Sequence, residues 1–295
     1  MTERMEAKQM QTVDWYYIVK HIHARQPDSD KNTYGRVLAV CGCRDYIGAP
    51  YFAAQAAVRT GSGIVTLAVP ECIYPILAGK LNEPTFLPLP CDAEGKITAD
   101  SLPSLKRRAA ILAGPGLGIS EGVSQAVQTI IRGAECPVIV DADGINVLAG
   151  HIHVLEEAVY PVVLTPHMHE FSRICDIERT GDAAQDAAAF AQKHHCVLLL
   201  KGHRTVVAGP NGTVLQNVHG NPGMAKGGSG DVLSGIILSL LGQKLEPLAA
   251  AACGAYIHSR AGDLCANAIG EFGMTPTDML SYIPRVLKPL NSREW

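Results

Sequence analysis

Asn221-Pro222-Gly223-Met224-Ala225-Lys226-Gly227-Gly228-Ser229-Gly230-Asp231 decides how the rest of this chain is read. The stretch holds four glycines and one lysine and ends on an aspartate. Val232 to Leu241 follows, with Leu233, Ile236, Ile237, Leu240 and Leu241 at helical spacing. A helix with one buried face is therefore expected directly after the glycines, with Gly242 as its stop. Glycines let the backbone bend sharply and approach a ligand closely. The first turn of the helix offers unpaired N–H groups and the positive end of a dipole, a combination that binds anions and phosphates above all. Asp231 has a plain reading, an N-cap, and a functional one, a carboxylate beside a phosphate. Four glycines, a lysine and an aspartate in one short window favour the second.

Upstream, short apolar runs alternate with helical segments. Arg36 to Cys41 is a continuous apolar run of the kind buried on both faces of a parallel sheet. Ile64–Val69, Ala109–Ala113, Val138–Val140, Val162–Leu164 and Val197–Leu200 repeat it. Helices are expected over Pro50–Thr60, Ser120–Arg132, Ala183–His194 and Pro247–Asn267, with a short one over Asp14–His23 and a last one opening at Thr275-Pro276. Arg204–Ala208 and Thr213–Asn217 read as a hairpin around Pro210-Asn211-Gly212. Repeated strand–helix units imply an α/β fold: a central, mostly parallel sheet with helices on both faces. Its ligands bind outside the carboxyl ends of the strands, where every polar cluster of the chain falls. The expected organisation is an N-terminal extension with a short helix over residues 1–30, then one domain over residues 31–290.

The 295 residues are 47% hydrophobic, enough for a large core. A net charge of −3, with no basic run, leaves nucleic acid without a footprint. No apolar run approaches a membrane span, and Met1 to Gln11 lacks the apolar core of a signal peptide. The nine cysteines are scattered, and Cys41-x-Cys43 has no second pair to complete a zinc site. Reduced thiols in a cytoplasmic protein are expected.

Two familiar nucleotide motifs fail. Gly42 and Gly48 are too far apart for a Walker A loop, and Ala49-Pro50 stands where Lys-Ser/Thr is required; Gly114-x-Gly116 begins a dinucleotide fingerprint, but the third glycine falls at Gly118. Other polar clusters keep two readings each. Thr165-Pro166-His167, with Glu170 beyond, is a polar strand end or a presented histidine, since Pro166 stiffens the loop. Lys201-Gly202, before Arg204 and Thr205, is a solvated turn or a phosphate or ribose contact. Asp141 and Asp143 bind a metal or cap the segment before Gly144-Ile145-Asn146.

Together these motifs resemble the ADP- or ATP-dependent NAD(P)H-hydrate dehydratases of the ribokinase-like superfamily. The matching pieces are Lys31–Gly35, Tyr46-Ile47-Gly48-Ala49, Arg59-Thr60-Gly61-Ser62-Gly63, Gly114–Gly118, Asp141–Asn146, Thr165-Pro166-His167, Lys201-Gly202 and Asn221–Asp231, in the family's order. The resemblance implies a ribokinase-like fold and a cofactor-repair enzyme. Its substrate would be the S epimer of hydrated NADH or NADPH, dehydrated at the expense of ADP (favoured over ATP) by phosphorylation of the ring hydroxyl and loss of phosphate. Position by position it places Ala49, Gly116, His167 and Asp231 at the hydrate and Lys201, Gly202, His203, Arg204, Thr205 and Gly230 at the nucleotide, with Asp231 as the base. It implies Mg²⁺ as the counterion of the nucleotide, without a dedicated protein cage, and a cytoplasmic homo-oligomer, a tetramer. The chain departs from the family pattern at Met168-His169, where relatives carry Pro-Gly, and at Asn32, where they carry glycine. A fused epimerase domain is not expected in a chain of this length. The alternative is a vitamin-precursor kinase of the same superfamily using the same Gly-Asp loop; a nucleotide-binding regulator without chemistry is a third reading.

Overall fold

The computed structural model describes residues 10–291. Its strands are β1 (Gln11–Thr12), β2 (Arg36–Val40), β3 (Ile64–Pro70), β4 (Thr85–Leu89), β5 (Ala110–Ala113), β6 (Val138–Val140), β7 (Val163–Leu164), β8 (Val197–Leu200), β9 (Thr205–Ala208) and β10 (Val214–Asn217). They form one sheet in the order β1-β10-β9-β8-β7-β6-β5-β2-β3-β4. Only the pairs of β9 with β8 and β10 are antiparallel. The predicted apolar runs are strands because neither face of the sheet meets water. Alternate residues serve opposite layers: Val37, Leu67, Leu112, Ile139 and Leu199 pack into one core, and Leu38, Ala68, Ile111, Val140 and Leu198 into the other.

The helices are α1 (Trp15–His21), α2 (Gly48–Thr60), α3 (Tyr74–Ala78), α4 (Glu121–Gly133), α5 (Asp143–Asn146), α6 (Met168–Ile174), α7 (Ala183–Lys193), α8 (Ser229–Gly242), α9 (Pro247–Ile269) and α10 (Pro276–Leu287). α1, α2, α8, α9 and α10 cover the first face; α4, α6 and α7 cover the second. The layered, mostly parallel architecture expected from the sequence is observed.

Three expectations need adjusting. The Gly-Asp helix begins at Ser229, three residues ahead of the expected start, and runs through Gly242. β4, with Pro88 inside it, and α6 are elements the sequence reading did not assign. Within the N-terminal 30 residues, β1 joins the sheet beside β10, and Val13 and Ile18 are fully buried. Residues 1–9 of the expected extension lie outside the described residues.

The topology gathers the polar loops. β2, β5, β6, β7 and β8 run in one direction, and β10 runs with them because β9 reverses twice. The loops after β2, β5, β6, β7, β8 and β10 therefore share the carboxyl edge of the sheet, and the loop after β10 carries Asn221–Asp231.

Candidate active site

Gly228, not Asp231, caps α8; its φ of +95° is one only glycine adopts freely, and a Cβ there would lie 2.6 Å from Phe52 of α2. Ser229, Gly230 and Asp231 then form the first turn; the Ser229 N–H donates to the Lys226 carbonyl oxygen at 3.2 Å, and those of Gly230 and Asp231 belong to the open amino end of the helix. The capping explanation for Asp231 is therefore overturned. At the end of β8, Lys201 extends towards this turn, and a Cβ on Gly230 would sit 3.4 Å from its Nζ. An ammonium beside open helical N–H groups is an anion cradle.

The lysine is held from behind. Its Nζ donates to Asp141 Oδ1 at 2.9 Å and lies 3.8 Å from Glu170 Oε2. Asp141 is buried, with 1% of its surface exposed, and its second oxygen accepts from Ser234 Oγ at 2.9 Å. Burial opposes the lysine's charge, but the Asp141 and Glu170 carboxylates outweigh it and hold the ammonium above its ordinary pKa. Burial and the neighbouring Asp141 carboxylate push Asp231 up to about 7; Lys201 opposes the shift, while Asp143 and Glu170 add to it. A carboxyl poised near neutrality beside a phosphate cradle suits a general base.

His167 precedes α6 and caps it: Nδ1 accepts from the N–H groups of His169 and Glu170 at 3.2 and 3.1 Å, and Glu170 Oε2 accepts from the His167 N–H at 2.8 Å. The ring proton consequently sits on Nε2. Met168 and His169, where relatives carry Pro-Gly, are the first two positions of α6, and proline is well suited to the first of them.

A cavity of about 720 Å³ opens at this edge. His167, Lys201, Gly202, His203, Thr205 and Gly230 line it. Arg204, although exposed, does not. The lining continues with Met224 and Leu233 and with residues for which the sequence suggested no role at the site: Asn217, His219, His258 and Ser259. His258 is buried, which lowers its pKa to about 4 and keeps the imidazole neutral, and Nε2 lies 3.2 Å from Ser229 Oγ. Such a chamber, polar at the mouth and partly apolar inside, suits a nucleotide with its phosphates at Gly230. His258 has no local motif and is brought in by α9, whereas Asn217 ends β10 just ahead of the Asn221–Asp231 stretch.

Ala49 and Gly116 form a second cluster. A Cβ on Gly116 would lie 3.0 Å from that of Ala49 and 2.7 Å from that of Tyr46. Ala49 is in the first turn of α2, which packs along α8. Asp143 joins this side, accepting from Gly118 N–H at 2.9 Å. His167, grouped with Ala49 and Gly116 in the sequence reading, lines the cavity of about 720 Å³, where its backbone pairs with that of Lys201 in a single bridge.

Among the described residues no group of three or more histidine, cysteine, aspartate or glutamate side chains is arranged to hold a metal ion. Asp141 is engaged with Lys201 and Ser234, and Asp143 with Gly118. All nine cysteines are free.

A family model described as NAD(P)H-hydrate dehydratase matches residues 37–285. The chain belongs to the NAD(P)H-hydrate dehydratase family. Within it, the chain is 33% identical over 280 residues to the ADP-dependent (S)-NAD(P)H-hydrate dehydratase of Bacillus subtilis, covering 92% of this chain and 98% of that one. A crystal structure of the Bacillus subtilis ADP/ATP-dependent NAD(P)H-hydrate dehydratase, co-crystallised with ATP and Mg²⁺, has a TM-score of 0.82 at 30% identity and covers 96% of this chain and 100% of that one. The bifunctional NAD(P)H-hydrate repair enzyme of Moorella thermoacetica is 43% identical over 273 residues, 90% of this chain and 52% of that protein. The chain thus spans about half the length of such bifunctional relatives of the dehydratase family. Ribokinase from Cryptococcus neoformans, with a TM-score of 0.54 at 12% identity, shares the fold alone.

Proposed function

We propose that the protein dehydrates hydrated NADH or NADPH, S epimer, back to the reduced cofactor at the expense of ADP, or less favourably ATP. Asp231 carries this reading: a carboxylate poised near neutrality at the head of a glycine-opened helix, beside the Lys201 ammonium. The terminal phosphate of the nucleotide rests on the Gly230 turn and Lys201, with Gly202, His203 and Thr205 at the mouth of the cavity. The hydrate approaches from Ala49 and Gly116, and His167 offers Nε2–H at the junction. Asp231 takes the proton of the ring hydroxyl as its oxygen attacks the terminal phosphorus, and the bond to the departing nucleotide breaks. The phosphorylated hydroxyl then leaves as phosphate, helped by the ring nitrogen's lone pair, and loss of a proton from the adjacent carbon restores the dihydropyridine. The sum is hydrate plus ADP giving NADH, AMP and phosphate. Any Mg²⁺ accompanies the nucleotide and offsets its charge.

The family relationship favours this substrate over a vitamin precursor, although a small-molecule kinase would use the same carboxylate. We further read the protein as a cytoplasmic homotetramer, by resemblance; light scattering on the purified protein tests the assembly. The reaction is tested with hydrated NADH, each nucleotide and Mg²⁺. Near-ultraviolet absorbance returns only when hydrate and nucleotide are both present, with one phosphate released per NADH. A kinase would leave the hydrate untouched, and a regulator would bind nucleotide and convert nothing. A folded protein that binds both ligands without restoring absorbance overturns the proposal.

A further inference from the structure

Asp141 stands at the junction of the two halves of the site. It follows β6, and the turn after it is tightly built: Ala142 has φ +52°, and a Cβ on Gly114 would lie 1.9 Å from the Asp141 carbonyl oxygen. One carboxylate oxygen accepts from Lys201, the head of the β8–β9 loop. The other accepts from Ser234, whose hydroxyl also approaches the Gly230 and Asp231 carbonyl oxygens at 3.1 and 3.3 Å. A single buried anion thus reaches the nucleotide loop through one partner and the first turn of α8 through the other.

We propose that Asp141 is a positioning residue for phosphoryl transfer, fixing the Lys201 ammonium against the Gly230 turn and, through Ser234, setting that turn so that Asp231 meets the acceptor hydroxyl. The inference rests on the proposed phosphoryl-transfer reading. Asp141 does not touch the reacting atoms; it sets the separation between cradle and base. Placement of this kind acts on turnover more than on affinity, because a misplacement of about 1 Å can cost about 100-fold in rate while contacts to the bound ligand persist. Asp141 also contributes charge. Asp231 is faced by Asp141 from just after β6, Asp143 from α5, Glu170 from α6, Lys201 from just after β8 and the Cys41 thiol from just after β2. Removing the Asp141 charge removes one repulsion on the ionised base.

The test compares wild type, Asp141→Asn and Ser234→Ala as full chains. It measures NADH recovery from hydrate across pH, and ADP affinity by calorimetric titration without hydrate. For Asp141→Asn, kcat at the alkaline plateau falls about 10- to 100-fold, ADP affinity is not weakened, and the acid limb of kcat/KM moves towards acid. For Ser234→Ala, which keeps every charge, kcat falls with ADP affinity unchanged and the acid limb stays in place. Normal turnover in either folded variant overturns the inference, as does a loss of ADP affinity in proportion to turnover. If Asp141→Asn does not fold, Ser234→Ala decides alone, since it removes only a hydroxyl. A wild-type protein inert with both nucleotides overturns the dehydratase reading itself, and this inference with it; an active wild type beside unaffected variants overturns only the role of Asp141.

Discussion

At the residue scale the site turns on Asp231 and Gly230. Asp231→Asn should lower turnover by roughly 100- to 10,000-fold, the range of a general base, while nucleotide affinity changes little; near-normal turnover in the folded variant would remove Asp231 from the chemistry. The same variant tests the electrostatics. The folded protein holds the Asp231 proton up to about pH 7, above an unfolded value near 3.8. This contribution to stability is complete below about pH 4 and is lost as pH rises through about 7. At pH 8 the charged carboxylate therefore opposes folding, and Asp231→Asn should be the more stable protein by roughly 1–4 kcal/mol, an advantage that vanishes towards pH 4; melting curves of both proteins across that range measure it. Gly230→Val should fold, because the nearest neighbour of an added Cβ is the flexible end of Lys201 at 3.4 Å. Its methyl groups would occupy the cradle, so ADP affinity should drop far more than ligand-free thermal stability. Equal affinity would place the phosphate elsewhere. The glycine turn that opens α8 was legible in the sequence because it is local to a few residues. His258 was not, since only the packing of α9 brings it to the cavity.

At the element scale, α8 must lie close to α2 for its amino end to meet Phe52. Gly235 makes this possible: a Cβ there would lie 2.3 Å from the Ala53 carbonyl oxygen and 2.8 Å from the Ala56 Cβ. Gly235→Ala forces the helices apart and should cost about 1–3 kcal/mol, read from chemical denaturation, with kcat reduced as the first turn of α8 shifts. Elements with two buried faces were legible, because Val37 to Val40 or Val197 to Leu200 can be nothing but apolar. β4 was hidden by Pro88, which an edge strand tolerates and a central one does not. α6 was hidden by a histidine in the capping place, although Glu170 three positions on was the trace of a capping box. α8 was read three residues short because glycine and serine do not announce a helix.

At the scale of the whole molecule, binding should feed back on stability. ADP at about 100 times its Kd adds about 2.7 kcal/mol if only the folded protein binds it, so the melting temperature should rise with ADP in wild type and much less in Gly230→Val. A rise of equal size in the variant would show that ADP binds away from the cradle. β1 carries a different consequence, one of time. Gln11 pairs with Leu215, and the Val13 N–H donates to the Gln216 carbonyl at 2.8 Å. About 200 residues of chain separate these partners, and a ribosome adding about 5–20 residues per second takes roughly 10–40 s to make them. Throughout that interval β10 does not exist, and the apolar residues beside β1, Val13 and Ile18, have no completed core to enter. Docking of β1 is accordingly a late step of biosynthesis, which leaves the β1–α1 segment open to chaperones and proteases throughout that interval.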